Sequence, residues 1–298
     1  MKSLLTLSGS VVLIYLLLVA FYALMQRSLI YYPMTEGLGA AMQLAEAQGG
    51  SPWLDEHGAW LGWKVAPVAR AQAPTGPVRR ALVFHGNAGM ALHRGYYADL
   101  LNHFSASGPW TVYIQEYPGY GPRAGSPGQP AMITAGIDAV DRLLAEDPSP
   151  LLIVGESIGS GVASAVVGER REAVAALLLV TPFDQLVNVA RHHMPWLPSS
   201  LLLKDRYDNL TALERYEGPL AIVTAGEDDI VPARFAEPLL AQHRGPALHE
   251  QQPTAGHNSL HFNAGRAPWT AVDEFLADPV PISEEPRPPA AMQRSERR

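Results

Sequence analysis

Three residue types that together can break an acyl bond occur in this chain in a workable order: Ser157, the pair Asp228-Asp229, and His257. The serine sits in Gly155-Glu156-Ser157-Ile158-Gly159, after the apolar run Leu151-Leu152-Ile153-Val154 and before the small residues Ser160, Gly161, Ala163 and Ser164. A strand that enters a helix through such glycines makes a tight, strained turn. The turn lifts the serine hydroxyl above the sheet edge and aims the Ile158 N–H, at the helix N-terminus, toward whatever the hydroxyl attacks. The five residues would also suit a plain turn in which serine only caps the helix, so partners must decide. A hydroxyl is a poor nucleophile without a base, and the base needs a buried carboxylate to fix its tautomer. Residues 219–225 read as a buried strand that delivers Gly226-Glu227-Asp228-Asp229-Ile230-Val231-Pro232, followed by a helix over about 233–242. A second strand, 247–252, delivers Ala255-Gly256-His257-Asn258.

A fourth element lies upstream, where the strand 81–84 ends in His85-Gly86-Asn87-Ala88-Gly89. A glycine-rich loop there suits an oxyanion hole: the backbone N–H of Asn87 or Ala88, together with that of Ile158, would hold the negative oxygen of a tetrahedral intermediate. Four such elements in the right order favour nucleophilic catalysis over four unrelated turns.

The strands that must position these residues recur at 59–68, 81–85, 110–116, 150–155, 174–181, 219–225 and 247–252. Several are continuous Val/Leu/Ile runs, as in a parallel sheet buried on both faces. Helical patterns alternate with them; the one at 132–144 ends before Pro148 and Pro150. Residues 182–217 fall between two strands and form a small cap region. There, Val187, Val189, Met194, Trp196, Leu197 and the run 201–203 either pack a helix on the sheet or line an acyl pocket.

With these motifs the chain resembles the α/β-hydrolase superfamily, and more narrowly the membrane-anchored serine hydrolases of the bud-emergence (Bem-type) branch. The match runs from about residue 10 to about 277, through Gln26-Arg27-Ser28-Leu29-Ile30-Tyr31-Tyr32-Pro33, His85-Gly86-Asn87-Ala88-Gly89, Glu116-Tyr117-Pro118-Gly119-Tyr120-Gly121, the serine turn and Gly256-His257-Asn258. The resemblance implies a mostly parallel central sheet with helices on both faces, a small cap, and hydrolysis of an ester, thioester or amide without cofactor or metal. It also implies Asp228 as the acid, because in similar hydrolases the acid commonly precedes the Val-Pro proline by four residues; Asp229 would then face solvent or cap the next helix. Two positions depart from the pattern: Glu116 stands where relatives often carry Asp, and Asn258-Ser259 follow His257 where an acidic residue often comes third. The alternative from another class is a catalytically silent membrane scaffold that keeps the fold.

Residues 4–25 carry no charge, and at ~1.5 Å per residue such a helix spans about 33 Å, enough for the ~30 Å hydrocarbon core. An uncleaved anchor over 1–27 is expected, because Ala20-Phe21-Tyr22-Ala23 lacks the small-x-small spacing of a signal-peptide cleavage site. Lys2 and the terminal amine against Arg27 alone favour an N-terminus inside, with the catalytic domain, 28–278, outside a bacterial inner membrane. The Pro-rich charged tail, 279–298, reads as disordered. The net charge of −7 and the absence of a Lys/Arg cluster argue against nucleic-acid binding, so the expected partners are the membrane and a small-molecule or acyl (lipid) substrate. The absence of cysteine excludes disulfides and thiolate chemistry. His257 and His261 have helical spacing but no third ligand, and His192-His193 belongs on the cap surface.

Overall fold

The computed structural model describes residues 2–35, 37–67 and 77–277, with side chains from residue 8 onward. The tail expected to be disordered lies outside them. Helix α1 (Lys2–Ile30) leads through the two-residue strand β1 (Tyr32–Pro33) to α2 (Leu38–Ala47), β2 (Gly50–Leu54) and β3 (Trp60–Val65). Then follow β4 (Arg79–Phe84), β5 (Ala88–Gly89), α3 (Gly95–His103), β6 (Trp110–Gln115), α4 (Gln129–Glu146), β7 (Leu151–Glu156), α5 (Ile158–Glu169) and β8 (Val174–Val180). Three short helices, α6 (Leu186–His193), α7 (Ser199–Leu202) and α8 (Asn209–Leu213), separate β8 from β9 (Leu220–Ala225); α9 (Glu237–Gln242), β10 (Ala247–Gln252) and α10 (Trp269–Ala277) complete the described chain.

Eight strands form one sheet in the order β10-β9-β8-β7-β4-β6-β3-β2, parallel from β10 to β6 and antiparallel where β3 meets β6 and β2. β7 shows why its run Leu151–Val154 is apolar. Leu151 and Ile153 enter the core on one face and Leu152 and Val154 the core on the other, so these four positions leave no place for a polar side chain. β4, β7, β9 and β10 run in the same direction, so the loops that leave them gather along one edge of the sheet.

The sequence reading lacked the short strands β1 and β5, and two larger elements also differ from it. β2 is an additional strand carrying Pro52; as an edge strand it loses no ladder bond to the missing N–H, but the proline hides it from a pattern search. The helix expected over 233–242 opens as a 3₁₀ turn, Ala233–Ala236, and becomes α-helical only at Glu237, with Pro238 in the first turn where its lack of a donor is tolerated.

Within α1, Ser8–Ile30 is long and apolar enough to cross a membrane by length and composition. Leu13, Ile14, Leu17, Phe21 and Leu24 are exposed along it. Its last turns are instead fastened to the segment between β8 and β9. Arg27 makes a two-pronged ion pair with buried Asp205 at 3.1 Å, and Tyr31 Oη donates to the same carboxylate at 2.9 Å. Gln26 donates to Leu202 O and accepts from Lys204 N.

Candidate active site

Ser157 joins β7 to α5 with φ 52° and ψ −119°, a conformation non-glycine residues rarely adopt. Neighbouring glycines make it possible. A Cβ at Gly159 would sit 2.1 Å from Phe84 O, and one at Gly155 2.7 Å from Ala163 Cβ, so α5 can approach β4 and β7 only with glycine at both positions. The Ser157 side chain makes no capping bond to α5. Its Oγ lies 2.9 Å from His257 Nε2.

On the other side of the imidazole, Nδ1 lies 2.7 Å from Asp228 Oδ2. The second carboxylate oxygen, Oδ1, accepts from the N–H groups of Ile230 and Val231 at 2.9 and 2.7 Å. These bonds fix the carboxylate plane and favour the tautomer in which Nδ1 donates and Nε2 accepts from the hydroxyl. Asp228 is buried while Asp229 is exposed, and no side chain caps the 3₁₀ turn that follows. The loops carrying acid and imidazole are bound together by Gly226 N to Gln252 O and Glu227 N to Ala255 O, both 2.9 Å. Two separate loops are therefore held as one unit.

Ile158 is buried at the first turn of α5. Across from it the His85–Gly89 loop is pinned at almost every peptide. Asn87 O accepts from Tyr32 N at 2.9 Å and Tyr120 Oη at 2.7 Å, Asn87 Nδ2 donates to Ile30 O at 2.8 Å, and Ala88 pairs with Tyr32 in the β1–β5 ladder. Tyr117 Oη donates to His85 O, and Glu116 Oε1 accepts from Ala91 N, both at 2.9 Å. The stretch 116–121 thus braces this loop from below. Glu116 fits because Gly121, with φ 49°, leaves its carboxylate the space a side chain would fill.

Sequence reasoning overlooked Glu156, which it treated as the variable position of the serine motif. Arg94 Nε lies 3.1 Å and Tyr96 Oη 2.5 Å from the Glu156 carboxylate, and burial together with this anion pushes the Tyr96 phenol pKa upward. A Cβ at Gly86 would meet Glu156 Oε1 at 2.9 Å and Ser157 Cβ at 3.8 Å, so the ion pair adjoins both the loop and the serine. Arg94, Tyr96, Glu156, His257, Asn258 and Phe262 line a cavity of about 420 Å³. His261 and His192 are exposed; His193 Nε2 bonds Ile230 O.

Fold and site together define a serine hydrolase of α/β-hydrolase architecture. The chain belongs to the serine hydrolase family, whose sequence profile matches residues 129–278. An uncharacterized protein of Mycobacterium tuberculosis is 30% identical over 262 residues, 87% of this chain and 90% of that one. Protein bem46 of Schizosaccharomyces pombe is 26% identical over 160 residues, 51% of this chain and 52% of that one. Among solved structures, an esterase of Pyrococcus furiosus superposes with a TM-score of 0.59 at 16% identity, covering 84% of this chain and 97% of the esterase, which establishes the common fold.

Proposed function

We propose that the chain is a membrane-anchored hydrolase that cleaves an ester or thioester, or an amide, through an acyl-enzyme on Ser157. The observation that carries this reading is the continuous relay from Ser157 Oγ to His257 to Asp228, at 2.9 and 2.7 Å, on a strained turn that spends its serine on the relay rather than on a helix cap. His257 Nε2 takes the hydroxyl proton as Oγ adds to the carbonyl carbon, and Asp228 stabilises the imidazolium. The N–H of Ile158 and that of Asn87 or Ala88 receive the oxyanion. When the tetrahedral adduct collapses, the acyl C–O, C–S or C–N bond breaks and the leaving group departs with the proton from His257. Water then gives a proton to His257 and its hydroxide to the acyl carbon, and Ser157 recovers its proton as the carboxylic acid leaves.

Helix α1 anchors this domain, with 1–27 in and at the bilayer, 28–278 as the hydrolase domain and 182–217 as its cap. Arg27 is neutralised by Asp205, so Lys2 dominates the flanking positive charge. That supports an N-terminus inside and a hydrolase domain outside a bacterial inner membrane. Carbonate washing should leave the full chain in membranes and detergent should release it; a full-length chain in the supernatant would overturn the anchor.

The catalytic test is turnover of p-nitrophenyl esters and an acyl thioester by the full chain in detergent, beside Ser157→Ala. The variant should lose turnover with an unchanged circular dichroism spectrum. Equal turnover would overturn the assignment, and inertness of both proteins toward all substrates would favour the scaffold.

A further inference from the structure

Between the last turns of α1 and the cap lies a cavity of about 190 Å³ that is not closed off. Tyr22, Leu29 and Ile30 of α1 form one wall, and Val189, Ala190 and Leu202 of α6 and α7 form another. Three further lining side chains are polar, and each is bonded within the protein. Gln26 bonds Ala23 O, Leu202 O and Lys204 N; Ser199 Oγ bonds Leu197 O; His193 Nε2 bonds Ile230 O. The cavity therefore offers an occupant apolar contact and little else.

Each wall is tied by hydrogen bonds to a loop that carries a candidate reacting group. On the α1 side Ile30 O receives the Asn87 amide, so the wall continues into the candidate oxyanion loop. On the cap side His193 Nε2 is bonded to Ile230 O, and the N–H of the same residue donates to Asp228. The far end lies along the apolar part of α1. Trp196 meets Tyr22 edge-on, with ring centroids 5.5 Å apart, and Trp196 O accepts from Tyr15 Oη at 3.2 Å. A bilayer that contains Ser8–Ile30 thus also receives the cap edge, where Trp196 is 45% and Leu201 81% exposed. Exposed tryptophan and leucine beside a spanning helix suit the lipid interface and are costly in water.

We propose that this cavity holds the long acyl chain of a membrane lipid, which enters sideways from the leaflet and places its ester carbonyl at Ser157. The end of the anchor helix is then one wall of the substrate site and not only a tether. This rests on the reading of Ser157 as nucleophile, and deepens it.

The test uses the full chain in lipid nanodiscs and a long-chain alkyl fluorophosphonate with a diazirine near the chain end. Ser157 Oγ bonds to phosphorus, fluoride leaves, and light then links the chain end to its neighbours for mapping by mass spectrometry. Crosslinks on peptides 22–30 and 186–203 are expected. Crosslinks confined to Tyr96, Leu260 or Phe262 would overturn the site while leaving the nucleophile intact; no phosphonate on Ser157 would overturn both. As a second reading, Ala190→Trp should lower the ratio of long-chain to short-chain kcat/KM by about tenfold or more, since filling the cavity removes room for several buried methylenes. An unchanged ratio in the folded variant would also overturn the site.

Discussion

The cavity that His257 lines and the cavity between α1 and the cap are built from different materials. The one at Arg94, Tyr96 and Glu156 mixes charged and polar groups with Val180, Leu260 and Phe262 and takes in the ends of β7 and β8, whereas the one between α1 and the cap is almost wholly apolar and made of segments outside the sheet. Rigid strand ends can hold an ion pair and a hydrogen-bond relay to within tenths of an ångström. An apolar wall needs no such accuracy, and short helices fastened by a few polar clasps suffice. On the proposed reading the polar side would serve the leaving group and the incoming water, and the apolar side the acyl chain.

The largest effects should come from the relay, whose His257 lines the polar cavity. His257→Ala should lower kcat by about 10⁶-fold, because the hydroxyl then keeps its proton. Asp228→Asn should cost about 10⁴-fold by favouring the wrong histidine tautomer, while exposed Asp229→Asn should stay within a few-fold. Steady-state kinetics on a short ester decide this. If Asp229→Asn is the crippling change, the acid moves by one residue and the polar cavity loses its geometric anchor.

On the polar side, Arg94→Met leaves Glu156, whose side chain is 14% exposed, without its cation and should lower stability by about 2–3 kcal/mol. Adding Glu156→Gln should restore part of the loss in urea titrations. No recovery would mean that Arg94 stabilises by packing alone. On the apolar side the Arg27–Asp205 clasp is worth less, because Arg27 is half exposed. Soluble fragments beginning at residue 26 and at residue 28 should differ by roughly 1 kcal/mol, or about 2–4 °C in Tm, in favour of the longer. Equal melting would show that the clasp is dispensable. The smallest effect belongs to Tyr120→Phe, which removes one bond to Asn87 O and should lower kcat about fivefold or less with unchanged KM.

Legibility followed distance along the chain. Ser157, Asp228 and His257 each sit just past a strand whose apolar run can be read locally, and their strands lie close to the expected ranges. The count back from Pro232 picks the same aspartate that the structure brings to His257. The Arg94–Glu156 pair, 62 residues apart, and the Arg27–Asp205 pair, 178 apart, have no local period to betray them. β2 was hidden by its own proline, and the bracing role of 116–121 required knowing that Tyr117 and Tyr120 rise under the His85 loop.

The most direct test of the central claim is rapid mixing of the full chain with a p-nitrophenyl ester, followed by acid quench and mass spectrometry of the peptide that contains Ser157. A burst of nitrophenol close to one equivalent, with the acyl mass on Ser157, is the predicted result. Steady turnover with no acyl group on Ser157, or with the acyl group on another residue, would contradict it.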